Sequence, residues 1–557
     1  MVFTSPFNEP KLTFDMIPDN ISLFDFIFDP RYGRATARNP AFIDSSTGEE
    51  RSLEETRVRT LHLAQGMFKV LGDGKFGEQK FIGTFYPNLL EVPAVTWATH
   101  RLGWTVTPAN PAYTSAELAY QLKHSEAKAL FTFSPMLETA VAAAKEVGIP
   151  EDQIFVLDQA PGFKSVQDLV DIGRKEKELP ALNWSPGDGK TKMAFLSYSS
   201  GTTGLPKGVM VSHYNVIANT LQIVAFNGGF HKEKTTVLGL LPFYHIYGLV
   251  VILHAECYSG NTVVLVPKFE LEPFVSTLVK YKIAKLFLVP PLVIRLVKDP
   301  YVRPEHLAHV KECFSGAAPL GPETQKALRD KVPGILFRQG YGMTETATVV
   351  VCSHETDQWD GSAGSSVQLQ ELKLVDPTSG KEVTEYDTPG ELLVKGPQVT
   401  LGYYKNEKAT AETFLEGGWI RTGDECVIRK SPQGFEHLFV VDRIKELIKV
   451  KGMQVAPAEL EECLLAHPKV ADAAVIGIPD ERSGEVPKAY VVLHKNVPHT
   501  EETKRELAEW VQKQKARFKR LQGGIEFLEI IPKTASGKIL RRELRERHKM
   551  HDLRAKL

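Results

Sequence analysis

Between residues 115 and 289 short apolar strands alternate with helical stretches, and this alternation restricts the fold more than any other feature of the chain. A strand, a crossing helix and a second strand return the chain in the same direction, so repeated units build parallel sheets covered by helices on both faces. The spacing predicts a helix over 116–123 with Ser115 as its N-cap, a strand over 129–133, a helix over 137–147 and a strand over 153–157. Further strands are expected at 193–198, 235–241, 263–266 and 285–289, with a helical stretch opening at His213. With 557 residues, 43% of them hydrophobic, the chain has material for two to four units of roughly 100–200 residues each.

The texture changes between about 369 and 441. Segments such as Glu371-Leu-Lys-Leu-Val375 and Glu391-Leu-Leu-Val-Lys395 alternate apolar and polar residues between Gly/Pro turns, the pattern of antiparallel sheet or a small barrel. From Asp442 a compact α+β unit is expected, with Pro457 in the first turn of a helix over 458–466 and strands at 470–478 and 488–494. Thr500 is read as the N-cap of a helix reaching about 515.

Charge narrows the function classes. Lys plus Arg (67) balance Asp plus Glu (68), so no surface is built to neutralise a nucleic acid or an anionic membrane. The longest apolar run, 247–255, falls far short of the ~20 residues of a membrane span, and no secretory signal opens the sequence. Five widely spaced cysteines, Cys257, Cys313, Cys352, Cys426 and Cys463, form neither a disulfide framework nor a zinc pattern and read as buried thiols.

The chemistry concentrates in Ser197-Tyr-Ser-Ser-Gly-Thr-Thr-Gly-Leu-Pro-Lys-Gly208, which follows an apolar strand and precedes a helix. Its hydroxyls and unobstructed backbone N–H groups suit a polyphosphate, and Lys207 adds a positive charge. It is not a Walker loop, because Gly208 follows the lysine where that motif has Ser or Thr. The segment resembles the phosphate loop of the adenylate-forming superfamily, which holds acyl-CoA synthetases, luciferases and peptide-synthetase adenylation domains. Further matches follow in order. They are Leu241-Pro-Phe-Tyr-His-Ile-Tyr247, Ser315-Gly-Ala-Ala-Pro-Leu320, Gln339-Gly-Tyr-Gly-Met-Thr-Glu345, Trp419-Ile-Arg-Thr-Gly-Asp424, Asp442-Arg-Ile-Lys-Glu-Leu-Ile-Lys-Val-Lys-Gly452 and Pro532-Lys-Thr-Ala-Ser-Gly-Lys538. With Gln454-Val-Ala-Pro-Ala-Glu-Leu460, the chain is most similar to the branch of 4-coumarate–CoA ligases and luciferases.

The resemblance implies an α/β fold: a large N-terminal domain, 1–441, of two αβαβα-type sheets plus a small β-barrel, then a smaller mobile α+β domain, 442–557, hinged at Asp442. It implies ATP, Mg²⁺ and coenzyme A as co-substrates and cofactor of an acid–thiol ligase working through an acyl-AMP. Ser199, Ser200, Gly201, Thr202, Thr203, Gly204 and Lys207 would hold phosphates; Thr344 and Glu345 would end the nucleotide segment, with Glu345 and Thr202 on Mg²⁺. Gly316, Ala317 and Ala318 with Gln339, Gly340 and Tyr341 would enclose adenine, while Asp424 and Arg443 hold the ribose. Lys538 is the expected catalytic cation, since a fixed ammonium offsets the repulsion between an attacking carboxylate and the α-phosphate.

His245 would gate the acid, and Tyr247, Val251, Ala317, Gly340, Lys445 and Lys449 would face the acyl group or adenylate. Lys268, Lys451, Gly452 and Gln454 fall at CoA-contacting positions of the family. The acyl pocket is expected between 245–247, the Gly316 region and 346–350, and it suits an aryl acid or a medium-chain fatty acid. Thr346-Ala-Thr-Val-Val350 departs from the plant hydroxycinnamate pattern, with Ala347 in place of a glycine. A luciferase-like oxygenase and a carrier-protein-loading enzyme are the alternatives, and a non-catalytic nucleotide-binding regulator is disfavoured by the presence of Lys538, Glu345 and Asp424. The terminal Ala555-Lys556-Leu557 resembles a peroxisomal address for an import receptor, displayed by a free polar stretch over 548–556.

Overall fold

The computed structural model describes residues 1–32, 40–72, 76–199, 206–228, 234–451, 453–480, 482–534 and 537–556, the last five by their backbone alone. Two parallel-rich sheets form the body. Among the described residues one has seven strands, in the order 164–165, 154–156, 129–132, 81–85, 105–109, 193–199 and 207–212, parallel except for its last pair. The other has nine, running from 365–366 through 348–352, 336–343, 312–315, 285–288, 236–239, 262–265 and 42–44 to 50–51, with antiparallel pairs only at its two ends. The strands expected from the alternation are all present, each within a few residues of its expected ends.

Two local expectations shift. The helix expected from residue 116 is Ser115–Ser125 and its N-cap is Thr114, not Ser115. Glu117 stands three residues after Thr114, so the two side chains cap each other's backbone N–H groups, and Ser115 has no such partner. The stretch over 548–556, expected to be free, belongs to the helix Arg541–Lys556, pinned by ion pairs from Arg545 to Glu446 and from Arg547 to Glu526. Leu557 of the expected address lies outside the described residues.

The helix His213–Phe226 is buried along its whole length, packed on the segment Tyr247–Glu256. Apolar residues surround it, and its asparagines and glutamine find partners instead of water, whereas the buried Thr220 hydroxyl has none among the described residues. Asn215 donates to the carbonyls of Pro397 and Val399, both at 2.9 Å, and Asn219 brackets Val349, donating to its carbonyl at 2.8 Å and accepting from its N–H at 2.9 Å. The helix therefore ties both sheets to the connections beyond 346. Its neighbour Tyr247–Glu256 is a π-helix, the apolar run of the sequence wound with five-residue hydrogen bonds.

The β-rich part is a four-stranded antiparallel sheet, 371–375, 390–395, 419–430 and 436–443. The expected small barrel takes this form, its flanks met by isolated bridges from Phe3 to Leu372 and from Gly364 to Leu438. A last sheet joins 453–455, 448–450, 484–493 and 470–480, with 525–527 alongside, over its own core of Leu460, Leu464, Val475, Val491 and Leu507. Helix Pro457–Leu465 opens on proline as expected, and Thr500 caps Glu501–Gln514 by accepting from Thr503 N–H at 3.2 Å. All five cysteines are buried thiols. No helix of the described residues is long and apolar enough to cross a membrane.

Candidate active site

The carboxyl ends of the parallel strands of both sheets open into one cavity of about 810 Å³, the place where open α/β sheets bind ligands. Ser199 ends one strand, Gly316 and Ala317 follow another, and Gly340 to Thr344 continue a third. The C-terminal unit closes the opposite side with Lys533, Thr534, Lys538 and Arg541.

Lys538 is aimed by its own loop. Thr534 N–H donates to the Lys538 carbonyl at 2.8 Å, and Lys538 N–H donates to the Thr534 hydroxyl at 3.1 Å. Gly537 takes φ of 81°, and a Cβ there would stand 3.2 Å from Val289 of the N-terminal body, so a side chain would both strain the turn and push the loop outward. Burial and the nearby Arg443 lower the ammonium to about 8, while Asp424, Glu345 and Glu446 oppose the shift. His245 faces it from the bend two residues before the π-helix; burial, with the Lys538 charge, lowers its ring to about 4. Its Nδ1 accepts from Tyr247 N–H at 3.3 Å, so the ring is neutral near pH 7.

Glu345 is buried at the wall, its Oε1 accepting from the Tyr403 hydroxyl at 2.8 Å and lying 3.5 Å from the Ser199 hydroxyl. The Tyr341 hydroxyl donates to Asp424 Oδ2 at 2.6 Å, and Arg443 Nε stands 3.6 Å from Asp424 Oδ1. Burial raises the Asp424 carboxyl above the usual range, and Arg443 and Tyr341 hold it down in part. Gly316 has to be small, since a Cβ would meet the Tyr247 ring at 3.0 Å. The apolar part of the cavity is lined by Tyr247, Val251, Phe287, Phe314, Val349 and Cys352.

The sequence matches the AMP-binding enzyme family model over residues 31–404 and the model for the C-terminal domain of AMP-binding enzymes over 459–538. The chain belongs to the AMP-binding enzyme family. Among curated relatives, the acyl-CoA ligase AKT1 of Alternaria alternata is 37% identical over 566 residues, 98% of this chain and 97% of that one. The 4-coumarate-CoA ligase 1 of Narcissus pseudonarcissus is 35% identical, covering 96% and 95%. Among solved structures, the anthranilate CoA ligase AuaEII in complex with anthranoyl-AMP aligns with a TM-score of 0.86 at 25% identity, covering 97% of this chain and all of that one. ATP-bound MatB from Rhodopseudomonas palustris aligns at 0.81 and 26%, covering 95% and 99%.

In this AMP-binding enzyme the cavity gathers Ser199, His245, Tyr247, Val251, Gly316, Ala317, Gly340, Tyr341, Thr344, Glu345, Arg443 and Lys538, with Asp424 reached through Tyr341. Ser200, Gly201, Thr202, Thr203, Gly204 and Gly452 lie outside the described residues. Several expected residues stand elsewhere. Gln339 does not line the cavity: its Oε1 accepts from Leu320 N–H at 2.9 Å and its Nε2 donates to the Ser362 carbonyl at 3.2 Å, which fixes the loop carrying Gly316. Ala318 also stands back from the lining, and Lys207 holds its ammonium 4.6 Å from the Tyr403 ring centre. Lys268 is an exposed ion pair with Glu270 at 2.9 Å. Lys445, Lys449, Lys451 and Gln454 are exposed, the last three on the hairpin 448–455, because the C-terminal unit presents its Lys538 face to the cavity. Motif reading missed Tyr403, Glu446, Arg541 and the group Ile223, Phe226 and Asn227. Of these only Glu446 stands in a motif, and the polar residues of the helix from His213 (Asn215, Asn219, Thr220 and Gln222) hid that it is buried throughout.

Proposed function

We propose that the chain is an acyl-CoA ligase that activates a carboxylic acid with ATP as an acyl-AMP, releasing pyrophosphate, and then transfers the acyl group to the thiol of coenzyme A, releasing AMP. The observation that carries this reading is the convergence of Lys538, from the C-terminal unit, with His245, Thr344 and Glu345 in one cavity at the strand ends. The acid and the α-phosphate are both anionic. An ammonium held against them offsets their repulsion and stabilises the charge that builds as pyrophosphate departs. Neutral His245 borders the acid without adding a competing charge.

Mg²⁺ suits the same wall: the buried Glu345 carboxylate beside the Ser199 hydroxyl is an all-oxygen donor set, and Glu345 with Thr202 would hold the ion. Bound there, it would neutralise phosphate charge. Tyr341 and Gly316 would flank the adenine, and Asp424 and Arg443 would take the ribose hydroxyls. Thioester formation needs only a thiolate and AMP as leaving group. For that step the unit beyond Asp442 would turn, withdraw Lys538 and bring Lys449, Lys451 and Gln454 to the nucleotide, with Lys268 on the CoA path. The apolar lining suits an aryl or medium-chain acid. Exchange of labelled pyrophosphate into ATP, measured over a panel of such acids with Mg²⁺, should occur for at least one of them and yield a thioester once CoA is added. No exchange with any acid would overturn the assignment.

The Ala555-Lys556-Leu557 end supports import into peroxisomes through a receptor for such tripeptides. Deleting it should move a protein tagged at its other end to the cytosol, and unchanged localisation would reject the address.

A further inference from the structure

His245 stands on a short connection that the other sheet holds in place. The strand Thr236–Gly239 of the nine-stranded sheet runs on through Leu241, Pro242 and Phe243 to Tyr244 and His245, which line the cavity. Asn88 reaches this connection from the loop that follows the strand Phe81–Phe85 of the seven-stranded sheet. Its Nδ2 donates to the carbonyls of Gly239 and Leu241, both at 2.9 Å, and its Oδ1 accepts from Phe243 N–H at 2.9 Å. Exchanging the two ends of the carboxamide would set oxygen against two carbonyls and NH₂ against an N–H, so only one orientation of the group fits.

Asn88 is buried, and its own loop is firmly placed: Arg51 donates to the Leu90 carbonyl at 3.2 Å and pairs with Glu91 at 2.9 Å, and Arg59 pairs with Glu91 at 2.7 Å. From the opposite side the Thr348 hydroxyl donates to the Ile246 carbonyl at 3.0 Å. Tyr244 and His245 are thus slung between one anchor at Phe243 and another at Ile246. His245 N–H donates to the Pro242 carbonyl at 3.1 Å, which carries the placement of the connection into the backbone of His245 itself. Gly248 adds a constraint of its own. A Cβ there would stand 2.5 Å from the carbonyl oxygens of both Leu241 and Pro242, so the start of the π-helix packs against the residues that Asn88 holds.

We propose that Asn88 is a positioning residue for activation of the acid: by fixing residues 239–243 it sets His245 against the acid site before the acid arrives. This role rests on the ligase reading and adds to it a residue that stands in no motif and outside the cavity lining. Removing the carboxamide takes from the Leu241 carbonyl and the Phe243 N–H the partner that Asn88 gives them, so the connection has to relax toward new ones. A displacement of about 1 Å arising far from the chemistry can cost on the order of 10²-fold in rate. Nucleotide contacts lie on other segments, from Gly316 to Glu345, and are not carried by this connection.

The test uses the whole protein with benzoate, cinnamate, phenylacetate and octanoate, following pyrophosphate release with ATP, Mg²⁺ and CoA. For the acid turned over best, Asn88→Ala should lower kcat/KM ~10–100-fold while KM for Mg·ATP stays within about 2-fold of the wild-type value. In a His245→Ala background the same substitution should add less than about 2-fold, because a residue that acts through His245 then has nothing left to position. Full additivity of the two substitutions, or equal rises in KM for acid and for Mg·ATP, would overturn the proposal and leave Asn88 a structural part alone. So would wild-type kinetics in Asn88→Ala. The unaltered protein gives a reading that needs no variant to fold: the amides of Phe243 and His245 should exchange hydrogen as slowly without the acid as with it, since the connection is set beforehand. Protection that arises only once the acid binds would overturn the proposal. Absence of pyrophosphate release with every acid would overturn the ligase reading and this role with it.

Discussion

Lys538 offers a prediction whose size follows from its surroundings. With its ammonium lowered to about 8 by burial and Arg443, the free enzyme should be about nine-tenths cationic at pH 7 and about one-tenth at pH 9. If only the cationic form assists adenylation, kcat/KM for the acid should fall ~8–10-fold between those values, since this parameter reports ionisation of the free enzyme. His245, at about 4, is neutral throughout the range and cannot produce the limb. Lys538→Arg should remove the alkaline limb, because a guanidinium keeps its charge, and Lys538→Ala should cost ~10²–10³ in adenylation at pH 7. The assay is pyrophosphate exchange at constant ionic strength, with thioester formation from supplied acyl-AMP measured alongside. A wild-type profile flat from pH 7 to 9 would refute the reasoning, as would equal loss of both half-reactions in Lys538→Ala. The same shift has a sign in stability: the unfolded chain binds more protons than the folded one from about 8 up to the free-lysine value, so this group makes the fold more stable as pH rises through that window.

Tyr403→Phe removes the hydroxyl that donates to Glu345 at 2.8 Å, and KM for Mg·ATP should rise ~3–10-fold with little change in thermal midpoint; an unaltered KM would mean that the bond is idle. Gly342→Ala places a Cβ 1.4 Å from the Thr348 carbonyl oxygen, so the pairing of 340–343 with 348–352 has to shift. We expect a loss of about 2–3 kcal/mol, read as a lowered thermal midpoint, together with weaker nucleotide binding; a wild-type midpoint would contradict it.

Much of the architecture is legible from pattern. Strands such as 129–132 and 285–288 are short apolar runs fenced by turn residues, and the helix Leu137–Val147 lies where its apolar spacing places it. Motif residues are legible too, because phosphate and carboxylate chemistry needs them consecutive. What escapes is whatever depends on distance through space. Tyr403 meets Glu345 from 58 residues away and carries no motif of its own. Asn227 is an ordinary helix-ending residue until the cavity beside it is seen. The π-helix is hidden because an apolar run has no polar face to betray its winding. Lys445 and Lys449 are expected at the acyl group or adenylate and Lys451 at CoA, yet here the C-terminal unit turns its Lys538 face to the cavity and leaves all three exposed.

Asp442 belongs at once to the rung Glu425–Asp442 of the antiparallel sheet and, through its carboxylate, to the helix Pro457–Leu465, whose Ala458 N–H donates to it at 3.0 Å. A twist about the N–Cα bond of Asp442 would carry that tether along intact, whereas one about Cα–C would tear it. Either way Arg443 leaves its rung opposite Asp424, and with it the carboxylate that Tyr341 grips. On the proposed roles, the sugar clasp and the swing of the tail unit would be mechanically one part: the enzyme would not change faces without loosening its hold on the nucleoside.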